Sequence, residues 1–289
     1  MITDNDKYKH MKINEILQER SQAERKRDAG VKHDQFFTRP EIAASFAGWV
    51  KAQPFYSSVT KMIEPAAGAR ALSRHFPGIE EYDLDPQYDS TTQQDFLSSN
   101  HAHQPGTMTV MNPPFGKGSG LAVEFFNKAA EYSDYIAGIF PRSFRRGGIQ
   151  NRLNRHFHLV DEKVLPAGAF FLPSEGELKK YDVPAVAQIW SRENTERETE
   201  KKGPSSSSHF QFTSASNADL AFRRKGRSAG EIVTDNIENT NPNSFYYISG
   251  DDRVQSVFRQ IDWSKFGQDA IGSRYITKAE IIQAVNAAL

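Results

Sequence analysis

The chain has 289 residues, with 36 Lys and Arg against 36 Asp and Glu, 20 Phe and no cysteine. Its hydrophobic content of 38% can build a core, so global disorder is excluded, and the length suits a main domain with a smaller companion. The missing cysteine excludes a disulfide framework, a zinc ribbon, an iron–sulfur cluster and a cysteine nucleophile. The balanced charge argues against a wholly basic nucleic-acid scaffold, so any such contact must come from local charge.

Residues 12–28 (KINEILQERSQAERKRD) read as a charged helix with a thin apolar face, ended near Gly30. We take residues 1–30 as this N-terminal helical segment. It lacks the apolar core of a signal peptide, and no stretch is apolar enough to span a membrane, so a cytoplasmic protein is expected. The stretch FFTRPEIAASFAGWV (36–50) reads as a loop and then a helix, with Thr38 as N-cap and Pro40 and Glu41 in the first turn. A regular series of strand-like runs follows. Lys61-Met62-Ile63 leads into EPAAGARAL, Glu81-Tyr82 into DLDP, Thr107–Met111 into NPPF, and YIAGIF (135–140) into PRSF. ALSRHF reads as a short helix between the first pair, and LAVEFFNKAAEYS as an amphipathic helix between the last, with Leu121, Phe125, Phe126 and Ala129 on one face.

FHLVDEKVL and VPAVAQIW are further strands that could close the sheet. Strands alternating with helices predict a doubly wound, Rossmann-like α/β sheet over residues 31–190. Residues 191–209 (SRENTERETEKKGPSSSSH) are polar, aperiodic and serine-rich, and read as a flexible linker. Residues 210–289 mix short strands (FQFT, EIVT, SFYYI) with amphipathic helices (DRVQSVFRQI, KAEIIQAVNAAL), predicting a smaller mixed α/β domain.

In open α/β sheets, ligands sit beyond the carboxyl ends of the strands, and this chain places its unusual residues there. Glu64-Pro65-Ala66-Ala67-Gly68 offers small residues that let backbone approach a ligand, although a tight strand–helix turn would read the same way. Asp83, in DLDP, could accept from both hydroxyls of a ribose; Asp and Pro also favour turns. Asp95 and Phe96, in QDF, could meet an adenine edge and face. Asn112-Pro113-Pro114-Phe115 has the most specific chemistry. An exocyclic amine conjugated to a ring is a poor nucleophile. A side-chain amide oxygen and a backbone carbonyl, each accepting one of its N–H groups, favour a localised lone pair. Prolines hold such a carbonyl in place, and a phenylalanine beside them can stack on a flat base.

This series resembles the class I S-adenosylmethionine-dependent methyltransferases that modify exocyclic amines, and most closely the DNA N6-adenine methyltransferases, whose [DN]PP[YFW] signature matches Asn112–Phe115. QFFTRPEIA (35–43) resembles that family's cofactor-binding segment, EPAAGARAL its glycine loop, DLDP its ribose-binding acid and QDF its adenine-contacting segment. The order of segments resembles the gamma arrangement, with a C-terminal target-recognition region. The resemblance covers residues 34–190. It implies S-adenosylmethionine as cofactor and an adenine in DNA, flipped out of the duplex, as substrate. A restriction endonuclease is the partner such an enzyme can have.

Carried over, Thr38 would bond the methionyl carboxylate, and Glu64, Pro65, Ala67 and Gly68 would line the amino-acid end. Asp83 would hold the ribose, and Asp95 and Phe96 the adenine. Asn112 and Pro113 would accept from the target amine, with Pro114 fixing the turn and Phe115 stacking on the base. Phe171 and Tyr181 are candidates for a second aromatic clamp. One departure stands out: the family's G-x-G loop reads Gly68-Ala69-Arg70 here. Arg70 could point outward, pair with the cofactor carboxylate, or obstruct the pocket of a silent relative.

Local charge supplies candidate phosphate contacts in Arg142, Arg145 and Arg146, in Arg223 and Arg224, and in Lys117 on the GKGSG loop. A solvated charged face is the plain alternative for each. Phe222, beside Arg223, hints at base or sugar contact. The pairs His101/His103 and His156/His158 lack an evident third ligand and are not read as metal sites. The same motif also fits N4-cytosine, RNA-adenine and protein-glutamine transfer, or a silent methyltransferase-like nucleic-acid-binding protein. The lack of a G-x-G-x-x-G fingerprint counts against a nucleotide-dependent oxidoreductase.

Overall fold

The computed structural model describes residues 37–174, 177–181, 183–199, 203–269 and 274–289. The expected N-terminal helix, with Gln35 and Phe36, lies outside them. The chain divides into two units, Met1–Arg145 with Ile149–Thr199, and Arg146–Gly148 with Glu200–Leu289.

The first unit is built on a seven-stranded sheet. Its strands are β2 (Lys61–Glu64), β3 (Glu80–Asp83), β4 (Thr92–Gln93), β5 (Thr107–Met111), β6 (Tyr135–Pro141), β7 (Phe157–Val164) and β10 (Ala185–Arg192), in the order β4-β3-β2-β5-β6-β10-β7. The first five run parallel, while β10 lies antiparallel between β6 and β7. This is the expected doubly wound α/β architecture. Every side chain of β5 is buried, as a strand covered on both faces requires.

Helix α1 (Pro40–Lys51) packs Ala43, Phe46, Ala47 and Val50 on one face, against Met108, Val110, Ala137 and Ile139. Helix α2 (Gly120–Ala129) packs Ala122, Val123, Phe126 and Ala129 on the other, against Met111, Ile136, Phe140 and Trp190. The alternation along β6, with Ala137 and Ile139 on one side and Ile136 and Phe140 on the other, is the period-two pattern that makes both layers possible. The expected helix at ALSRHF is instead a single 3-10 turn, Ser73–His75. A small antiparallel sheet joins β1 (Phe37–Thr38), β8 (Phe170–Ser174) and β9 (Glu177–Tyr181).

The second unit has a four-stranded antiparallel sheet of β11 (Gln211–Thr213), β12 (Leu220–Arg223), β13 (Ile232–Val233) and β14 (Phe245–Ser249), in the order β11-β14-β12-β13. Helices α3 (Asp252–Gln260) and α4 (Lys278–Ala288) bury Val254, Phe258, Ile281 and Val285 against Leu220, Phe222 and Ile248. Strand β12 was not expected, and it moves Phe222 from a candidate base contact into the core. Among the described residues no helix is long and apolar enough to cross a membrane.

The linker expectation is corrected in part. Ser191 and Arg192 finish β10, and residues 193–199 pack on the first unit. The Arg197 guanidinium donates to the carbonyls of Gln150 (2.8 Å) and Phe157 (3.1 Å) and lies 5.7 Å from the Trp190 ring centre.

Candidate active site

The strand order reverses between β2 and β5. From β2 the chain lays β3 and β4 on one side; it then crosses over to lay β5 and β6 on the other. Loops leaving these neighbours diverge and open a crevice at their carboxyl ends. A cavity of about 300 Å³ lies there. Its wall contains Thr38, Glu64, Pro65, Ala67, Gly68, Asp83, Asp95, Phe96, Asn112, Pro113 and Pro114. These are all the residues expected to bind cofactor or act in catalysis, except Phe115.

Phe115 is only 4% exposed and meets the Phe170 ring edge-on, with centroids 6.2 Å apart, inside the core under α1. The turn through two prolines carries its ring inward, so stacking on a base is corrected to a packing role. Sequence reasoning missed Phe37, Leu84, Leu121 and Phe125, which supply apolar wall. Leu84 is 53% exposed, and the available signal in the sequence was an apolar residue set between the two acids of DLDP after a strand.

Thr38 was expected to cap α1. Arg39 occupies the cap position instead, without a side-chain cap, and Thr38 belongs to β1. Its hydroxyl oxygen accepts from Asn112 Nδ2 at 3.0 Å. That bond orients the Asn112 amide, placing its acceptor end away from Thr38.

The loop after β2 is fixed by its neighbour strand. Gly68, at φ +48°, donates its N–H to Asp83 Oδ2 at 2.8 Å, and Ala67 donates to the Tyr82 carbonyl at 3.0 Å. Asp83 Oδ1 accepts from the Asp85 N–H at 2.9 Å. Each carboxylate oxygen has a second lone pair, so Asp83 can hold the loop and still accept from a ligand hydroxyl. Asp95 caps the turn Phe96–Ser98, accepting from Leu97 N (3.1 Å) and Ser98 Oγ (2.7 Å). Phe96 is held against Phe125 and Tyr132.

Glu64 is 1% exposed, and its Oε2 has no hydrogen-bond partner. Burial holds this carboxyl well above the usual range, helped by the nearby charges of Glu81 and Asp83. Arg70 does not line the cavity. Its Nε donates to Glu81 Oε1 at 2.7 Å, so of the sequence alternatives neither obstruction nor a bond inside the pocket describes it.

The other candidates lie off the cavity wall. Phe171, on β8 opposite Phe37, is half-buried, with the Arg39 guanidinium 5.7 Å from its ring centre. Tyr181, on β9, pairs with Phe170, which itself pairs with Thr38. Both therefore share the small sheet that brings Thr38 to the cavity. Lys117 is exposed between Gly116 and Gly118, both at positive φ. Arg142 follows β6, its N–H bonded to the Pro184 carbonyl, and Arg145 pairs with Glu162 at 2.9 Å. Arg146 groups with the second unit and donates to the Tyr275 carbonyl at 3.1 Å. Arg223 pairs with Glu231 at 2.6 Å, and Arg224 lies 4.7 Å from the Tyr246 ring centre. His101 packs with Tyr82, Phe96 and Tyr132, and His103 bonds Asp134 at 2.9 Å.

No protein-family model matches the chain, and no curated protein matches it. Solved structures similar in fold include a proposed RNA methyltransferase from Pyrococcus horikoshii, with 18% identity over 55% of this chain and 87% of that one, at a TM-score of 0.41. The 23S rRNA methyltransferase ErmE shares 16% identity over 57% of this chain and 72% of its own, at 0.35. A proposed class I S-adenosylmethionine-dependent methyltransferase from Listeria monocytogenes shares 13% over 66% and 71%, at 0.45. At these values the likeness assigns neither family nor substrate to this chain.

Proposed function

We propose that this chain is an S-adenosylmethionine-dependent methyltransferase acting on a conjugated exocyclic amine, the N6 amine of adenine in DNA. The observation that carries this reading is the Asn112 amide, tethered by Thr38 beside Pro113 on the wall of the switch-point cavity that Glu64 and Asp83 also line.

The residues present fit the cofactor. Glu64, a buried acid without a partner on Oε2, suits the methionyl ammonium. Asp83 suits the ribose hydroxyls, and Phe96 and Leu84, with Asp95, suit the adenine. When bound, the cofactor supplies an electrophilic methyl group on a sulfonium. The chain's own part is alignment and electrostatics. Asn112 Oδ1 and the Pro113 carbonyl each accept one N–H of the target amine and draw its lone pair out of conjugation. Adenine offers such an amine, and in a duplex it must unstack and flip to reach the site. With Phe115 buried, Phe171 and Tyr181 on the small sheet are the aromatic candidates for holding the flipped base.

The test is modification mapping of adenine in genomic DNA from cells expressing the wild type or Asn112→Ala. Methylation present only with the wild type supports the reading and gives the target sequence. Cofactor binding without methylation of any DNA overturns the DNA assignment, and labelled-methyl transfer to RNA or protein then identifies the amine.

A further inference from the structure

Arg70 has φ +58°, a backbone conformation open to glycine and disfavoured for residues with a β-carbon. Something must hold it there. Its N–H donates to the Ala67 carbonyl at 2.7 Å, closing the loop after β2. Its guanidinium donates to Glu81 Oε1 at 2.7 Å and lies 5.3 Å from the Tyr88 ring centre. The Glu81 side chain is 4% exposed, and its other oxygen accepts from Ser90 (3.3 Å) and Thr91 (3.1 Å).

One cationic group therefore joins three segments: the loop after β2, strand β3, and the loop between β3 and β4. The first segment contributes Ala66, Ala67, Gly68 and Ala69 to the cavity wall, and the last contributes Leu84 and Asp85. The join itself is outside the cavity. A charged hydrogen bond into a nearly buried carboxylate is strong, and removing the cation leaves Glu81 without its charge partner.

We infer that Arg70 is a positioning residue, an external strut that sets the spacing between the two loops walling the cavity and so governs affinity for the methyl donor. The inference rests on the cofactor assignment proposed above. A glycine at this position would relax the backbone but leave the two loops untied. A lysine can reach a carboxylate but has no planar guanidinium to lay over Tyr88 while its Nε–H bonds Glu81.

The experiment compares wild type, Arg70→Gly, Arg70→Lys and Glu81→Gln. Cofactor-free hydrogen exchange comes first: Arg70→Gly is expected to speed exchange in both Ala66–Ala69 and Leu84–Thr91. Faster exchange in one loop alone, or in neither, overturns the strut. Titration with S-adenosylmethionine and S-adenosylhomocysteine follows. Arg70→Gly and Glu81→Gln are expected to weaken both about tenfold, and Arg70→Lys to recover part of the loss. At saturating cofactor kcat stays near the wild-type value. A lowered kcat with unchanged KM overturns the positioning role in favour of a part in the chemistry. Glycine removes the positive-φ strain, so loss of fold is not expected to mask the result. A wild type that binds neither compound overturns the cofactor assignment and the affinity role together, while the exchange result still decides the strut.

Discussion

Glu64 is a buried carboxyl whose charge state the fold controls. Burial raises its pKa above the unfolded value, so the protonated form is favoured in the folded state. The sign follows: its contribution to stability is full below the unfolded carboxylate pKa and is lost as pH rises toward the folded one. Glu64→Gln should therefore raise the cofactor-free Tm at pH 7 and leave it unchanged near pH 4, read by thermal unfolding at the two pH values. The same variant should lose affinity for S-adenosylmethionine. Cofactor binding by the wild type should release protons, visible as a dependence of the calorimetric heat on buffer ionisation enthalpy. Asn112→Ala should keep cofactor binding and lower methyl transfer about 100-fold or more, read by labelled-methyl incorporation. The place of Glu64, Asp83 and Asn112 on the cavity wall was legible because strand ends are where an α/β sheet presents side chains. Phe115 was not legible in its role. Sequence gives its identity, but its direction depends on Phe170, which is distant along the chain and meets it only after folding.

At the level of elements, periodicity located β2, β3, β5, β6, β7 and β10 and helices α1 and α2, while the short strands β1, β4, β8 and β9 were not expected. It failed where local chemistry overrode it. ALSRHF follows Arg70 at positive φ, and the chain makes one 3-10 turn there instead of a longer helix. LAFR was hidden because its last residue opens a basic run, yet Leu220, Ala221 and Phe222 are all buried in β12. The GKGSG segment was read as a loop, and the structure shows how it launches α2. Gly116 has φ +68°, and a β-carbon there would come within 2.7 Å of Leu121 Cβ. Ser119 is buried, and its hydroxyl lies 2.7 Å from that of Ser143. Gly116→Ala should destabilise the first unit by about 1–3 kcal/mol in urea unfolding and weaken activity in parallel.

Across the whole chain, the tail of the first unit runs to Thr199, several residues past the expected end at 190. Composition could not reveal this, because a polar, aperiodic stretch looks the same whether it is solvated or clamped by one arginine. A truncation after Thr199 is expected to fold and bind cofactor. One after Trp190 should be markedly less stable in thermal unfolding, since it removes the charged hydrogen bonds of Arg197, worth about 1.5–3 kcal/mol each. The placement of β10 also sets an order of events during synthesis. Among the described residues strand β7 pairs with the sheet through β10 alone, which is made after it. Phe157–Val164 must therefore wait, unpaired, for a segment ending at Arg192. At about 5–20 residues per second that delay is on the order of seconds. In that interval the nascent chain carries a bare strand, with Leu159, Val160 and Val164 on it, and is most open to chaperones or to its neighbours on the same message.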